Sequence, residues 1–173
     1  NAIVLPNSVS KNITLGAGMP YLITGVAVIP ENITVTLSPG VVMEFQSNWA
    51  GIQVDGSLKA VGTPELPILF RPLQYDNPAI LPGAWLGLHF TPTSKSSELE
   101  YVDISYAGAF YGNFQNTDFS SAIKVDQSVI SLKNSVLKNN DKHGVWLVNS
   151  PSIIDGVQFL DQPAKGVYVQ GNT

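Results

Sequence analysis

Apolar and polar residues alternate in short runs along most of this chain, and the alternation recurs at a fixed interval. Ala122-Ile123-Lys124-Val125, Gly144-Val145-Trp146-Leu147 and Gly166-Val167-Tyr168-Val169 are three copies of one unit, 22 residues apart, with a small residue first and apolar residues second and fourth. Gly51-Ile52-Gln53-Val54 and Gly87-Leu88-His89-Phe90 have the same form, spaced 36 and 35 residues from the next copy. A period of two within each unit predicts strands, and a repeat of this length predicts units that bury their apolar sides by stacking on their neighbours.

Two further columns follow the first in each repeat. The second places Leu58 and Ala60, Leu99 and Tyr101, Ile130 and Leu132, and Ser152 and Ile154 at equivalent positions. The third places Met43 and Phe45, Ile68 and Phe70, Ile104 and Tyr106, Ser135 and Leu137, and Val157 and Phe159 together. Three short strands per coil, each with one side inward, is the pattern of a solenoid. Helix is disfavoured by the two-residue apolar spacing and by 15 glycines and 12 prolines that punctuate the chain. An antiparallel sandwich shares the short strands, but it leaves three columns at one period unexplained. The expected fold is therefore all-β, a right-handed parallel β-helix of about six coils in a single domain over residues 1–173. Residues 1–20 are expected as an N-terminal cap or assembly segment, and 71–84 and 107–119 as loop insertions.

Composition narrows the function. With 44% hydrophobic and 13% charged residues the chain is set to fold rather than remain disordered. The absence of cysteine excludes disulfides, zinc-thiolate sites and a thiol nucleophile. A net charge of −4 with a single arginine, Arg71, provides no basic stripe for nucleic acid. No apolar run reaches the roughly 20 residues that a membrane-spanning helix needs, and the start of the chain reads as a mature or trimmed product.

The run Pro20-Tyr21-Leu22-Ile23-Thr24-Gly25, then Ile33-Thr34-Val35-Thr36-Leu37 and Pro39-Gly40-Val41-Val42-Met43-Glu44-Phe45, resembles the opening coils of bacterial and archaeal extracellular β-helix proteins of the pectin-lyase-like type. Val54-Asp55-Gly56-Ser57-Leu58-Lys59-Ala60-Val61-Gly62-Thr63, Pro67-Ile68-Leu69-Phe70 and Trp85-Leu86-Gly87-Leu88-His89-Phe90 continue the likeness. The resemblance implies an extracellular or cell-surface location. It says little about activity, because the matching positions are those of core and turns. Polygalacturonase-like members carry an Asn-Thr-Asp triplet, an Asp pair, Gly-His-Gly and Arg-x-Lys. This chain has Asn116-Thr117-Asp118 and His143-Gly144, but Lys142 replaces the first glycine, no two aspartates are adjacent and no Arg-x-Lys occurs. Asp118 and His143 are thus only weak catalytic candidates, and no catalytic residue is assigned. Asp103, Asn134 and Gly156 are read as one column and Asn139 with Asp161 as another. Such oxygen-rich turns can hold Ca²⁺, but accepting backbone hydrogen bonds at corners is their ordinary role, and no cofactor or metal is assigned.

Binding rests on the outward residues. Alternation sends Gln53, His89, Lys124, Trp146 and Tyr168 outward in one column, with Trp146 and Tyr168 one strand spacing apart, about 4.8 Å. On an exposed sheet they form a platform for sugar rings or a contact for another protein, the competing reading being a cross-strand aromatic pair. The second insertion adds Phe110, Tyr111 and Phe114, which either fold back on the wall or dock on a neighbour. Asn12-Ile13-Thr14 and Asn32-Ile33-Thr34 are glycosylation sequons. After Val169 the repeat stops without a polar capping unit, so the chain is expected to stack head to tail on copies of itself or to belong to a larger parent chain. The function expected is that of a non-catalytic structural subunit of filament, sheath or surface-layer type. The alternative is a polysaccharide-active lyase or hydrolase, or a carbohydrate-binding module.

Overall fold

The computed structural model describes residues 2–110 and 120–171. It contains 19 short strands in three parallel sheets and no helix among the described residues. Sheet A comprises β1 (Ile3–Val4), β3 (Tyr21–Ile23), β6 (Val42–Phe45), β9 (Ile68–Pro72), β12 (Val102–Ser105), β15 (Val136–Lys138) and β18 (Gln158–Leu160). Sheet B comprises β4 (Val26–Ile29), β7 (Gly51–Val54), β10 (Leu88–Phe90), β13 (Ser121–Asp126), β16 (His143–Val148) and β19 (Val167–Gln170). Sheet C comprises β2 (Ile13–Leu15), β5 (Thr34–Leu37), β8 (Ser57–Val61), β11 (Ser97–Glu100), β14 (Ile130–Lys133) and β17 (Ile153–Asp155). The chain visits A, B and C in turn, and every strand pairs with its equivalent one coil away, giving a right-handed parallel β-helix. Within residues 1–20, expected as a cap or assembly segment, β1 and β2 form part of a coil. There β1 pairs with β3, β2 pairs with β5, and Ser8 bridges to Val28 in place of a strand in sheet B.

The core is a set of stacked columns. In sheet B, Ala27, Ile52, Leu88, Ile123, Val145 and Val167 lie in register, as the first repeat column requires. Branched and aromatic side chains fit this pleated, one-sided surface, and each one removed from water contributes about 1.5 to 3 kcal/mol. The other two sheets correct the expected register in several coils. Ser97 and Leu99, not Leu99 and Tyr101, oppose Ile130 and Leu132. Val102 and Ile104, not Ile104 and Tyr106, oppose Ile68 and Phe70, and Met43 sits beside Phe70. The slip is of two residues each time, which leaves the same side inward.

Corners explain the slip. Tyr101, Asn134 and Gly156 turn the chain from sheet C to sheet A in the left-handed conformation, with φ of 48°, 47° and 62°. Tyr106, Asn139 and Asp161 turn it out of sheet A in the same way, and Gln127 and Asn149 turn it from B to C. Asn134 therefore shares its column with Tyr101 and not with Asp103, which lies in β12. Asparagine and glycine suit such positions because they enter the left-handed region at low cost. Backbone amides left over at the corners are satisfied by side chains of an adjacent coil. Leu58 N donates to Ser97 Oγ at 3.0 Å, Val102 N to Ser135 Oγ at 3.1 Å, and Ile130 N to Ser152 Oγ at 2.9 Å. Buried Asn140 accepts from Ala107 N at 2.8 Å and donates to Ile104 O at 3.1 Å.

Both insertions leave from the same corner, between sheets A and B. The first, after β9, is a chain of tight turns, with Tyr75 N bonding Pro72 O, Asn77 N bonding Gln74 O, and Ile80 N bonding Asn77 O. It re-enters through Trp85, whose ring stacks on Phe45 at 3.7 Å and whose Nε1 donates to Ser105 O at 2.8 Å. Gly87 follows at φ 118°, and a Cβ there would lie 2.6 Å from Ala122 O, so no other residue fits without moving the neighbouring coil. Gly87→Ala and Asn140→Ala are each expected to lower the unfolding free energy by about 1 to 3 kcal/mol. Urea denaturation monitored by tryptophan fluorescence measures both.

Candidate functional site

The outward column of sheet B is placed as the alternation requires. Gln53, His89, Lys124, Trp146 and Tyr168 are successive cross-strand partners. The column is not an exposed platform, however. Trp146 is only 1% exposed, Lys124 and His143 are buried as well, and His89 and Tyr168 are half-buried. Outward therefore does not mean solvent-facing here, because the outer sides of β13 and β16 are as buried as their inner sides. Lys124 Nζ lies 4.6 Å from the Trp146 ring centre, and the Trp146 and Tyr168 rings are 6.2 Å apart and tilted by 50°. Cation–π and aromatic contacts of this kind stabilise a wall. Burial lowers the Lys124 pKa, with the charge of Asp126 opposing it.

His143, a weak catalytic candidate in sequence, joins this packing. Strand alternation breaks beside it, since a Cβ on Gly144 would lie 2.5 Å from the Phe159 ring, turning Gly144 toward the core. His143 thereby stacks on Tyr168, with ring centres 4.9 Å apart and planes 12° apart, and Lys165 Nζ approaches Tyr168 at 5.2 Å. Asp118, Tyr111 and Phe114 lie outside the described residues. Phe110 is described and is 60% exposed. Asn12 and Asn32 are both exposed. The Asn12 Oδ1 accepts a hydrogen bond from Thr34 N at 2.8 Å, and Asn32 adopts a left-handed φ of 63° in a turn closed by Ile33 N and Pro30 O.

The most polar constellation was missed in sequence. On the outer face of sheet A, Arg71 Nη2 donates to Glu44 Oε1 at 2.9 Å and Lys138 Nζ to Asp103 Oδ2 at 2.6 Å. Tyr75, from the first insertion, lies over the Arg71 guanidinium at 5.3 Å and meets Tyr106 edge-on at 5.9 Å. Burial alone would lower the Lys138 pKa, but the hydrogen bond and charge of Asp103, with Tyr75 beside it, raise it. Leu69, Arg71, Tyr75, Asp103 and Ser105 enclose a cavity of about 50 Å³, far below the several hundred Å³ of a ligand pocket. Each acid here is neutralised by its own cation, so the group clamps the insertion onto the wall. The available signal was the register, which sets Glu44 directly beside Arg71. Among the described residues no three His, Asp or Glu side chains assemble into a metal-binding group. No helix among them is long and apolar enough to cross a membrane.

This geometry defines a β-solenoid with a packed outer wall. No family model matches the chain, and neither a curated protein nor a solved structure does.

His143 supplies a test of the wall. Its pKa lies below the ordinary 6.5, first because it is buried and then because Lys165 and Lys142 are positive. The unfolded chain thus binds the proton more readily than the folded one, so this stability is present above 6.5 and is lost as pH falls toward the folded value. Urea midpoints should drop between about pH 7 and 5. His143→Phe, which retains the ring on Tyr168, should remove the histidine's share of that drop.

Proposed function

We propose that the protein is a non-catalytic structural subunit of an extracellular assembly, and that its copies self-associate. The observation that carries this reading is the apolar corner between sheets A and B, where Trp49 is 57%, Leu73 41%, Leu81 72% and Phe110 60% exposed along three successive coils. Exposed apolar residues grouped in this way mark a contact with another protein surface. A second copy seated there removes apolar surface from water at about 25 cal/mol per Å².

The extracellular part of the reading is supported by the resemblance of the first coils to exported β-helix proteins and by the exposure of both sequon asparagines, Asn12 and Asn32. The non-catalytic part is supported by the neutralised acids of sheet A and the closed packing around His143.

Light scattering over a range of concentrations should show mass growing with concentration. Leu81→Asp places a charge in the exposed apolar corner. It is expected to shift the equilibrium to monomer while leaving the thermal midpoint nearly unchanged. A monodisperse wild-type monomer at high concentration refutes the reading.

A further inference from the structure

The corner between sheets B and C is polar where the corner between A and B is apolar. It is built from the turns of three successive coils, residues 30–33, 55–57 and 91–96. Ser57 N donates to Ile33 O at 2.9 Å and Lys95 N to Gly56 O at 3.0 Å, so each turn is fixed to the next. Between the turns lies an open cleft of about 160 Å³, to which Glu31, Asn32, Thr34, Ser57, Thr93 and Lys95 contribute. It has room for one sugar ring and falls well short of the roughly 300 Å³ at which pockets for drug-sized ligands begin.

Asn32 opens the sequon Asn32-Ile33-Thr34. It is the third residue of the turn Pro30-Glu31-Asn32-Ile33, which Ile33 N closes on Pro30 O at 3.1 Å. Its φ of 63° is one that asparagine adopts readily, and the residue is exposed. Asn12, which opens the other sequon, is held differently. Its Oδ1 accepts from Thr34 N at 2.8 Å and so fixes the start of β5. An asparagine must swing away from the wall to enter a transferase. Asn12 has to give up its hold on β5 to do so, whereas Asn32 already stands at the tip of a turn.

The cleft beside Asn32 has the chemistry of a sugar seat. Ser57 Oγ donates to Lys95 O and Thr93 Oγ1 to Asp55 O, which leaves both hydroxyl oxygens to accept from sugar hydroxyls. Exposed Lys95 adds a donor and exposed Glu31 a further acceptor. With one charge of each sign, the cleft favours a neutral sugar over an acidic one.

We infer that Asn32 is a glycan attachment site, that Asn12 is not, and that the first sugar on Asn32 lies in this cleft against Ser57, Thr93 and Lys95. The inference rests on the extracellular part of the reading above, since sequons are modified in exported proteins. In the transfer, Asn32 Nδ2 forms a bond to the anomeric carbon of a sugar carried on a lipid pyrophosphate. The bond from that carbon to the phosphate oxygen breaks, and one amide proton passes to the departing lipid pyrophosphate.

The full chain, exported behind an added leader by a host that glycosylates sequons, provides the test. Glycopeptide mass spectrometry should find the glycan on Asn32 and none on Asn12. Asn32→Gln should return the intact mass to that of the bare chain, and Asn12→Gln should leave it glycosylated. In the glycosylated protein, nuclear Overhauser contacts should join the first sugar to the Thr93 methyl group. Lys95→Ala should weaken those contacts and leave occupancy unchanged.

A glycan on Asn12, alone or together with one on Asn32, overturns the assignment, and so does a chain bare at both positions. A glycan on Asn32 whose first sugar makes no contact with Thr93 overturns the seating in the cleft. Because the added leader directs export, these results are independent of where the protein natively resides. Fractionation of the native cells tests that separately, and a chain found inside them overturns the extracellular reading whatever the host shows at Asn32.

Discussion

The structure depends on each strand lying in register on its equivalent one coil away. Parallel pairing of this kind leaves no tight hairpin to hold two strands together, so the ladder and the side-chain columns are satisfied only by residues a full coil distant. Once Ile52, Leu88, Ile123 and Val145 stack in sheet B, the faces of all three strands in those coils are set. The corners must then turn through left-handed residues to bring the next strand onto its column. The buried hydroxyls of Ser97 and Ser135 and the amide of Asn140 complete the backbone hydrogen bonds that such corners would otherwise leave unmade.

A wall built this way has consequences for chemistry. Outward side chains on neighbouring strands are close enough to interact with one another, and here they do so in preference to facing solvent. Lys124 lies against Trp146, Tyr168 against His143, Glu44 against Arg71 and Asp103 against Lys138. Large apolar residues remain exposed at the corner between sheets A and B. There Trp49, Leu73, Leu81 and Phe110 are exposed along three successive coils.

Much of the fold was legible because a solenoid writes the same constraint several times. The first column was read correctly throughout, since a small residue opens each copy of the strand and marks its phase. The registers of the other two sheets slipped by two at Leu99 and Tyr101 and at Ile104 and Tyr106. A period of two distinguishes inside from outside but cannot distinguish a strand from itself moved by one repeat of the pleat. What separated the alternatives was the left-handed conformation of Tyr101 and Tyr106, which marks them as corners although both are large aromatics that read as strand residues. The Glu44–Arg71 pair was invisible for the same reason, since it follows from a register that alternation leaves open.

The sequence by itself determined a parallel solenoid, the side its strands turn inward, and the interruption of the coil between β9 and β10. These follow from local periodicity and from a repeat length too regular to be accidental. Only the tertiary structure decided which outward residues are buried and which acids are paired with cations. Each depends on the spacing between coils and on what neighbouring strands place within 3 to 5 Å of one another, a distance that no pattern along a single strand encodes.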